Sequence, residues 1–294
     1  MTKVIERFAP TPSGALHLGH AFSAFTAWDA AHRSGGHFLL RMDDLDRTRC
    51  KPQFVEGIIA DMRWLELPWH GEILRQSKRA SVHEQVIRAL QARGLVYACT
   101  CSRQEIQAAA GAPQEGAEGG PAYPGTCRGR DPAGVTAPHA LRLDIGKAID
   151  LLGGPTAVSS LTFTEIGAGP SGESGEIALD ADQLITGTGD IVLRRKDEAM
   201  AYHLAVVVDD AFQQVSHVTR ARDLFASTPV HRLLQALIGL PTPIYRHHRI
   251  VRDDAGRRLA KRDGDMALAS LRDAGATATD IRRMLGLDSS DVTL

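Results

Sequence analysis

Residues 7–20 read Arg-Phe-Ala-Pro-Thr-Pro-Ser-Gly-Ala-Leu-His-Leu-Gly-His, and this stretch decides the fold. Before it, Val4-Ile5-Glu6-Arg7-Phe8 alternates β-branched or aromatic residues with charged ones, the pattern of a short strand. Pro10, Pro12 and Gly14 then interrupt regular structure and force a shaped turn. From Leu18 the apolar residues Leu18, Ala21, Phe22, Phe25 and Trp28 recur at helical spacing. The stretch is therefore a strand, a loop and a helix start, with His17 and His20 at the helix mouth. Free backbone N–H groups and the positive end of the helix dipole make such a mouth a place for an anion. Taken alone, the two histidines could equally be surface residues of a first turn.

Working outward, Ser34-Gly35-Gly36 stops the helix and His37–Met42 reads as a buried strand. Strand, helix, strand in that order makes a right-handed βαβ unit with parallel strands. Ligands of such sheets sit beyond the carboxyl ends of the strands, where Asp43, Asp44 and Asp46 follow the second strand. Helices are expected after Pro52 and after Ser77. From Val96 the character changes. Cys99, Cys101 and Cys127 flank a short helix and a Gly/Ala/Glu/Pro-rich loop over 111–120, and strands are expected at 139–145, 161–166 and 190–194. A second α/β half resumes near residue 199, with a strand at 215–219, an amphipathic helix at 230–240, an extended stretch at 244–250 and closing helices over 265–287.

The turn into His17-Leu18-Gly19-His20 resembles the His-Ile-Gly-His signature of class I aminoacyl-tRNA synthetases. Arg7 to Gly14 resembles the glutamyl and glutaminyl branch more narrowly. Arg41-Met42-Asp43-Asp44-Leu45-Asp46 is similar to the branch's Arg-Ile-Glu-Asp-Thr-Asp. Gly256–Arg262 resembles its second signature, Lys-Leu-Ser-Lys-Arg, with Arg258 for the first lysine and Ala260 for the serine. The missing hydroxyl removes one phosphate hydrogen bond, worth about 1 kcal/mol.

The resemblance implies an α/β fold: a Rossmann-like parallel sheet with helices on both faces, an inserted zinc-bearing subdomain and a short C-terminal helical extension. We expect residues 1–96 and 186–264 to form the two halves of the catalytic domain. Residues 97–185 would be the insertion, and 265–294 short helices without an anticodon-binding domain. The implied reaction is attack of the glutamate carboxylate on the α-phosphorus of ATP, with pyrophosphate leaving. It needs cations and donors rather than a side-chain nucleophile. His17, Gly19 and His20, with Arg258, Leu259 and Lys261, would hold ATP, Lys261 being the mobile cation. Arg7, Phe8, Ala9, Pro10, Thr11, Asp43, Tyr202 and Arg220 would hold L-glutamate. Arg7 and Arg220 suit carboxylates because a guanidinium bonds them bidentately, and Asp43 suits the ammonium. Arg41 and Asp44 read better as an internal ion pair. Magnesium would bridge the ATP phosphates.

The cysteines make a separate case. Cys99-x-Cys101 and Cys127 supply three thiolates, and tetrahedral zinc asks for a fourth ligand. Tyr123 is unusual on chemistry alone, since its phenol must lose a proton of pKa near 10. Cys50 is remote and is expected to be buried. The Cys-x-Cys and Tyr-x-x-x-Cys spacing resembles the short member of the branch that attaches glutamate to queuosine at the wobble position of tRNA(Asp). The 32 residues after Arg262 agree with that length class. The rival readings are a glutamyl-tRNA synthetase charging the tRNA 3′ end and a non-catalytic nucleotide- or tRNA-binding module.

Composition is compatible with these readings. The chain has 294 residues, 43% hydrophobic and 23% charged, an ordinary globular balance. No long apolar run and no leader pattern occurs, so a cytoplasmic protein without a membrane partner is expected. The net charge of −1 hides a local excess of five positive charges between Arg246 and Arg262, where a polyanion would be met.

Overall fold

The computed structural model describes residues 3–109, 122–251 and 267–287. In chain order it runs β1 (Ile5–Phe8), α1 (Leu18–Arg33), β2 (His37–Met42), α2 (Pro52–Trp64), β3 (Leu74–Arg75), α3 (Ala80–Ala92), β4 (Val96–Cys99) and α4 (Arg103–Ala109). Then come β5 (Ala140–Leu143), α5 (Ile145–Leu151), α6 (Gly154–Ser159), β6 (Thr162–Glu165), β7 (Gly175–Ala178) and β8 (Val192–Arg194). The last part holds α7 (Tyr202–Phe212), β9 (His217–Ala221), α8 (Thr228–Ile238), β10 (Ile244–His248), α9 (Leu268–Asp273) and α10 (Ala278–Met284).

The βαβ expectation holds: β1 and β2 are parallel with α1 between them, and β3 adds in parallel to β2. On the other side β9 pairs in parallel with β10, and β10 with β6. Ser216, just before β9, bonds Ile5 of β1 through its N–H at 3.0 Å, which brings the two parallel runs edge to edge. Side chains of β2 alternate between two apolar clusters. Phe38, Leu40 and Met42 pack with α1, α2, α9 and α10, while Leu39 packs with the cluster that includes α3, α7 and α8. Both faces of the sheet are thus covered by helices, as a parallel sheet requires. Among the described residues no helix is long and apolar enough to cross a membrane.

A separate antiparallel sheet, β4-β5-β8, carries the cysteine segment. Here the structure departs from the expected 97–185 insertion. β6 and β7 lie inside that range, yet β6 pairs with β10 in the parallel sheet and β7 with β6. β8, expected beyond the insertion, closes the antiparallel sheet instead. Strand pairing is a long-range contact, and the alternation that marks 161–166 as a strand does not say which sheet receives it. The expected strand at 139–145 is shorter, because Asp144 caps α5 by accepting from the Lys147 N–H. Cys50 is half-buried rather than buried.

Candidate active site

The turn between β1 and α1 is pinned to the end of β2. The Asp43 N–H donates to the Pro10 carbonyl at 3.1 Å, and the Lys51 N–H to that of Pro12 at 3.2 Å. Pro10 and Pro12 are buried, while Thr11 between them is exposed. Thr11 and Asp43 therefore face one cleft of about 1040 Å³ that Tyr202, at the start of α7, also lines.

At the mouth of α1 the histidines cap their own helix. Nδ1 of His17 accepts from the Gly19 N–H at 3.1 Å, and Nδ1 of His20 accepts from the His17 N–H at 3.2 Å. The free N–H groups expected at this mouth are in part occupied. Both rings are fixed with their proton on Nε2, so each offers a neutral donor. The rings lie 3.9 Å apart, and a Cβ on Gly19 would come 3.0 Å from His17 Cε1. Arg258, Leu259 and Lys261 lie outside the described residues. The flank of their segment is described: Ala267 bridges to His17, and the Leu268 N–H donates to the Leu16 carbonyl at 2.9 Å.

Arg7 and Arg41 share one buried carboxylate. Arg7 Nε donates to Asp210 Oδ1 at 3.1 Å, and Arg41 Nη1 bonds the same oxygen. Arg41, fully buried, also donates to Asp43 at 2.7 Å. The expected Arg41–Asp44 pair is therefore corrected to Arg41–Asp43. Residues two apart on an extended chain face the same side, while Asp44 turns away to accept from Arg75 at 2.8 Å and from Ser77. Burial would raise Asp210, but Arg7 and Arg41 overcome it and hold the carboxyl below its ordinary range. Burial pushes Asp43 up, with Arg41 opposing. Phe8 packs in the core rather than on the cleft.

Arg220 is 5% exposed and stands behind Tyr202, to whose hydroxyl it donates at 3.3 Å. The structure thus brings Thr11, Asp43 and Tyr202 to the cleft wall, with Arg7 and Arg220 buried nearby. Residue patterns did not single out Asp210, although two carboxylates closing the apolar run Ala205–Val208 were a signal. Nor did they find Asp190, which is 2% exposed and accepts from Tyr97, Arg128 and the Ile145 N–H beneath the antiparallel sheet. A lone aspartate before a strand carries no sequence signal of that role.

The same cleft reaches the cysteine segment through Cys101, Tyr123 and Arg142. The sulfurs of Cys99, Cys101 and Cys127 lie within 4.8 Å of one another, with Cys101 and Cys127 at 3.4 Å. The Tyr123 hydroxyl is 3.4 Å from Cys99 Sγ and 3.5 Å from Cys101 Sγ. Tetrahedral ligation at ~2.3 Å to sulfur puts sulfurs ~3.8 Å apart, so the thiols fit one zinc-sized ion. Burial opposes ionisation of Cys127, but hydrogen bonding with Tyr123 and the Thr100 backbone brings it down to about 7. Burial and the thiols push the Tyr123 phenol well up, so phenolate ligation there needs the charge of a cation. The Arg142 guanidinium lies 4.1 Å over the Tyr123 ring.

Such a site, a cleft beyond β2 lined by Thr11, Asp43 and Tyr202, with a helix mouth carrying two histidines after the same turn, is that of a class I aminoacyl-tRNA synthetase core. The family model of the class I tRNA synthetases (E and Q), catalytic domain, matches residues 3–130 and 174–288. The glutamyl-Q tRNA(Asp) synthetase of Rhodobacter capsulatus is 49% identical over 290 residues, 97% of this chain and all of the relative. That of Symbiobacterium thermophilum is 42% identical, over 92% of this chain and 82% of the relative. The fold is shared with a glutamate tRNA ligase from Elizabethkingia meningosepticum, at TM-score 0.68 and 23% identity, over 90% of this chain and 53% of that one. The chain belongs to the class I tRNA synthetases of the E and Q type, and within them to the glutamyl-Q tRNA(Asp) synthetase family.

Proposed function

We propose that the chain activates L-glutamate with ATP to glutamyl-adenylate, releasing pyrophosphate, and transfers the glutamyl group to queuosine at the wobble position of tRNA(Asp). The observation that carries this reading is a shared cleft. It holds Thr11, Asp43 and Tyr202 at one part and Cys101 and Tyr123 at another, so amino acid and acceptor can meet within it. The acceptor is that of the relatives, which are glutamyl-Q tRNA(Asp) synthetases.

In this reading Asp43 takes the ammonium, and Arg7 and Arg220 take the carboxylates. Ala9 to Thr11 contribute backbone and the threonine hydroxyl. The carboxylate oxygen attacks the α-phosphorus while His17 and His20 present Nε2–H donors to the phosphates. Lys261, with Arg258 and Leu259 beside it, adds charge from the second signature. Positioning and charge carry the reaction, since negative charge grows on the phosphates as pyrophosphate leaves. Magnesium bound with ATP would supply further positive charge against its phosphates.

Zinc held by Cys99, Cys101, Tyr123 and Cys127 would fix the fold of this cleft wall and leave the chemistry to the phosphate side. A cytoplasmic, reducing location goes with three thiols that must stay reduced to ligate. In this reading the parallel sheet, with β6 and β7 included, carries the catalytic part, and the antiparallel sheet, β8 included, serves as the acceptor-side wall.

The test is charging of tRNA(Asp) with and without queuosine. Glutamylation of the queuosine-bearing tRNA alone is expected. Glutamate attached to the 3′ end of unmodified tRNA(Glu) would overturn the reading in favour of a glutamyl-tRNA synthetase.

A further inference from the structure

Glu165, the last residue of β6, is 1% exposed. Its Oε1 accepts two backbone N–H groups, those of His247 and Gly167, each at 2.8 Å. Its Oε2 meets Nδ1 of His247. An ionised carboxylate only accepts, so Nδ1 carries the imidazole proton and Nε2 keeps a lone pair. Arg220 Nε donates to that lone pair at 3.0 Å. The rest of the guanidinium is fixed as well. Nη2 donates to Thr228 Oγ1 at 2.7 Å, and Nη1 lies 3.3 Å from both the Tyr202 hydroxyl and His231 Nδ1. His231 must then carry its proton on Nε2, where it donates to His203 Nδ1 at 3.1 Å. Tyr202 and His203 both line the cleft.

We infer that Glu165 and His247 are positioning residues for Arg220: the carboxylate selects the imidazole tautomer, and the imidazole sets the roll of the guanidinium behind Tyr202. The inference rests on the reading of Arg220 as a carboxylate-binding residue. Glycine supports it at 167, where a Cβ would fall 2.4 Å from the His247 carbonyl oxygen. Only a residue without a side chain lets this loop press onto β10 closely enough for one oxygen to take both N–H groups. Burial holds His247 and His231 below the ordinary histidine value, so neither imidazole opposes the charge of Arg220. Glu165 lies between the two stretches matched by the family, whereas Arg220 and His247 lie within the second.

The chemistry makes Glu165→Gln diagnostic. Two backbone N–H groups claim the amide oxygen, so the NH₂ faces His247 Nδ1 and drives the ring proton to Nε2. A donor then confronts Arg220 Nε–H. In glutamate-dependent exchange of pyrophosphate into ATP, the KM for glutamate should rise about tenfold, with kcat and the KM for ATP within about twofold. Nitrogen-15 NMR should show the His247 proton moved to Nε2. His247→Gln, whose amide oxygen can accept from Arg220, should keep a near-wild-type KM and cancel the effect of Glu165→Gln in the double variant, while His247→Leu should not.

Unchanged glutamate KM in Glu165→Gln and His247→Leu, with Arg220→Lys raising it, overturns the positioning role. Unchanged KM in Arg220→Lys as well shows instead that Arg220 does not meet the substrate. If Glu165→Gln fails to fold, the contrast between His247→Gln and His247→Leu decides alone.

Discussion

Glu6, in the middle of β1, is fully buried, with Thr219 donating to Oε1 at 2.9 Å and the Arg246 guanidinium forming a looser ion pair with the same oxygen at 3.7 Å. Burial is the largest influence and pushes its carboxyl up to about 7, since Thr219, Arg246 and Arg7 only partly offset the lost hydration. The sign follows from the proton count. Between pH 4.5 and about 7 the unfolded chain has lost this proton while the folded chain keeps it. Glu6 therefore stabilises below pH 4.5 relative to higher pH, and that contribution is lost as pH rises through about 7. Glu6→Gln should flatten this part of the stability profile, by roughly 2–3 kcal/mol between pH 4.5 and 8. Urea unfolding of both proteins at the two pH values measures it, and parallel profiles would refute it. The sequence marks Glu6 only as the polar phase of an alternating strand. That the strand is covered on both faces, which turns the polar phase inward, is a property of the sheet.

At the scale of elements, the strand–loop–helix reading of residues 7–20 carried over because proline, glycine and helical spacing act locally. The partners of its charges did not carry over. Arg41 and Asp43 share a face by strand alternation, but Asp210, which joins Arg41 to Arg7, arrives from α7 and only the folded chain shows it. β6 was likewise legible as a strand and not as a member of the parallel sheet. The capping of α1 by its own histidines yields a prediction at this scale. In Gly19→Ala the new methyl would sit 3.0 Å from His17 Cε1 and 3.2 Å from Nδ1. The ring must move, and the bond from the Gly19 N–H to Nδ1 weakens with it. An N-cap interaction is worth about 1 kcal/mol, so we expect a roughly fivefold higher KM for ATP with little change for glutamate. Pyrophosphate exchange titrated with each substrate separates the two, and an unaltered KM for ATP would remove the helix mouth from the nucleotide site.

The whole molecule sets a division of labour across one cleft. Thr11, Asp43 and Tyr202 come from the parallel sheet and its helices, whereas Cys101 and Tyr123 come from the segment attached to β4-β5-β8. If the cysteine cluster holds a structural zinc, its loss should loosen the acceptor-side wall and leave the parallel sheet intact, because the two regions have separate hydrophobic clusters around Cys99 and around α1. Cys101→Ser removes a sulfur ligand that is only half-buried, which limits damage to packing. Purified wild-type protein should carry about one zinc per chain and the variant far less. Glutamate-dependent pyrophosphate exchange should stay within about twofold of wild type, while transfer to queuosine-bearing tRNA(Asp) falls at least about tenfold. Exchange and transfer falling together would mean that the two walls act as one unit. Transfer unaffected in a zinc-depleted variant would detach the cysteine cluster from the acceptor altogether.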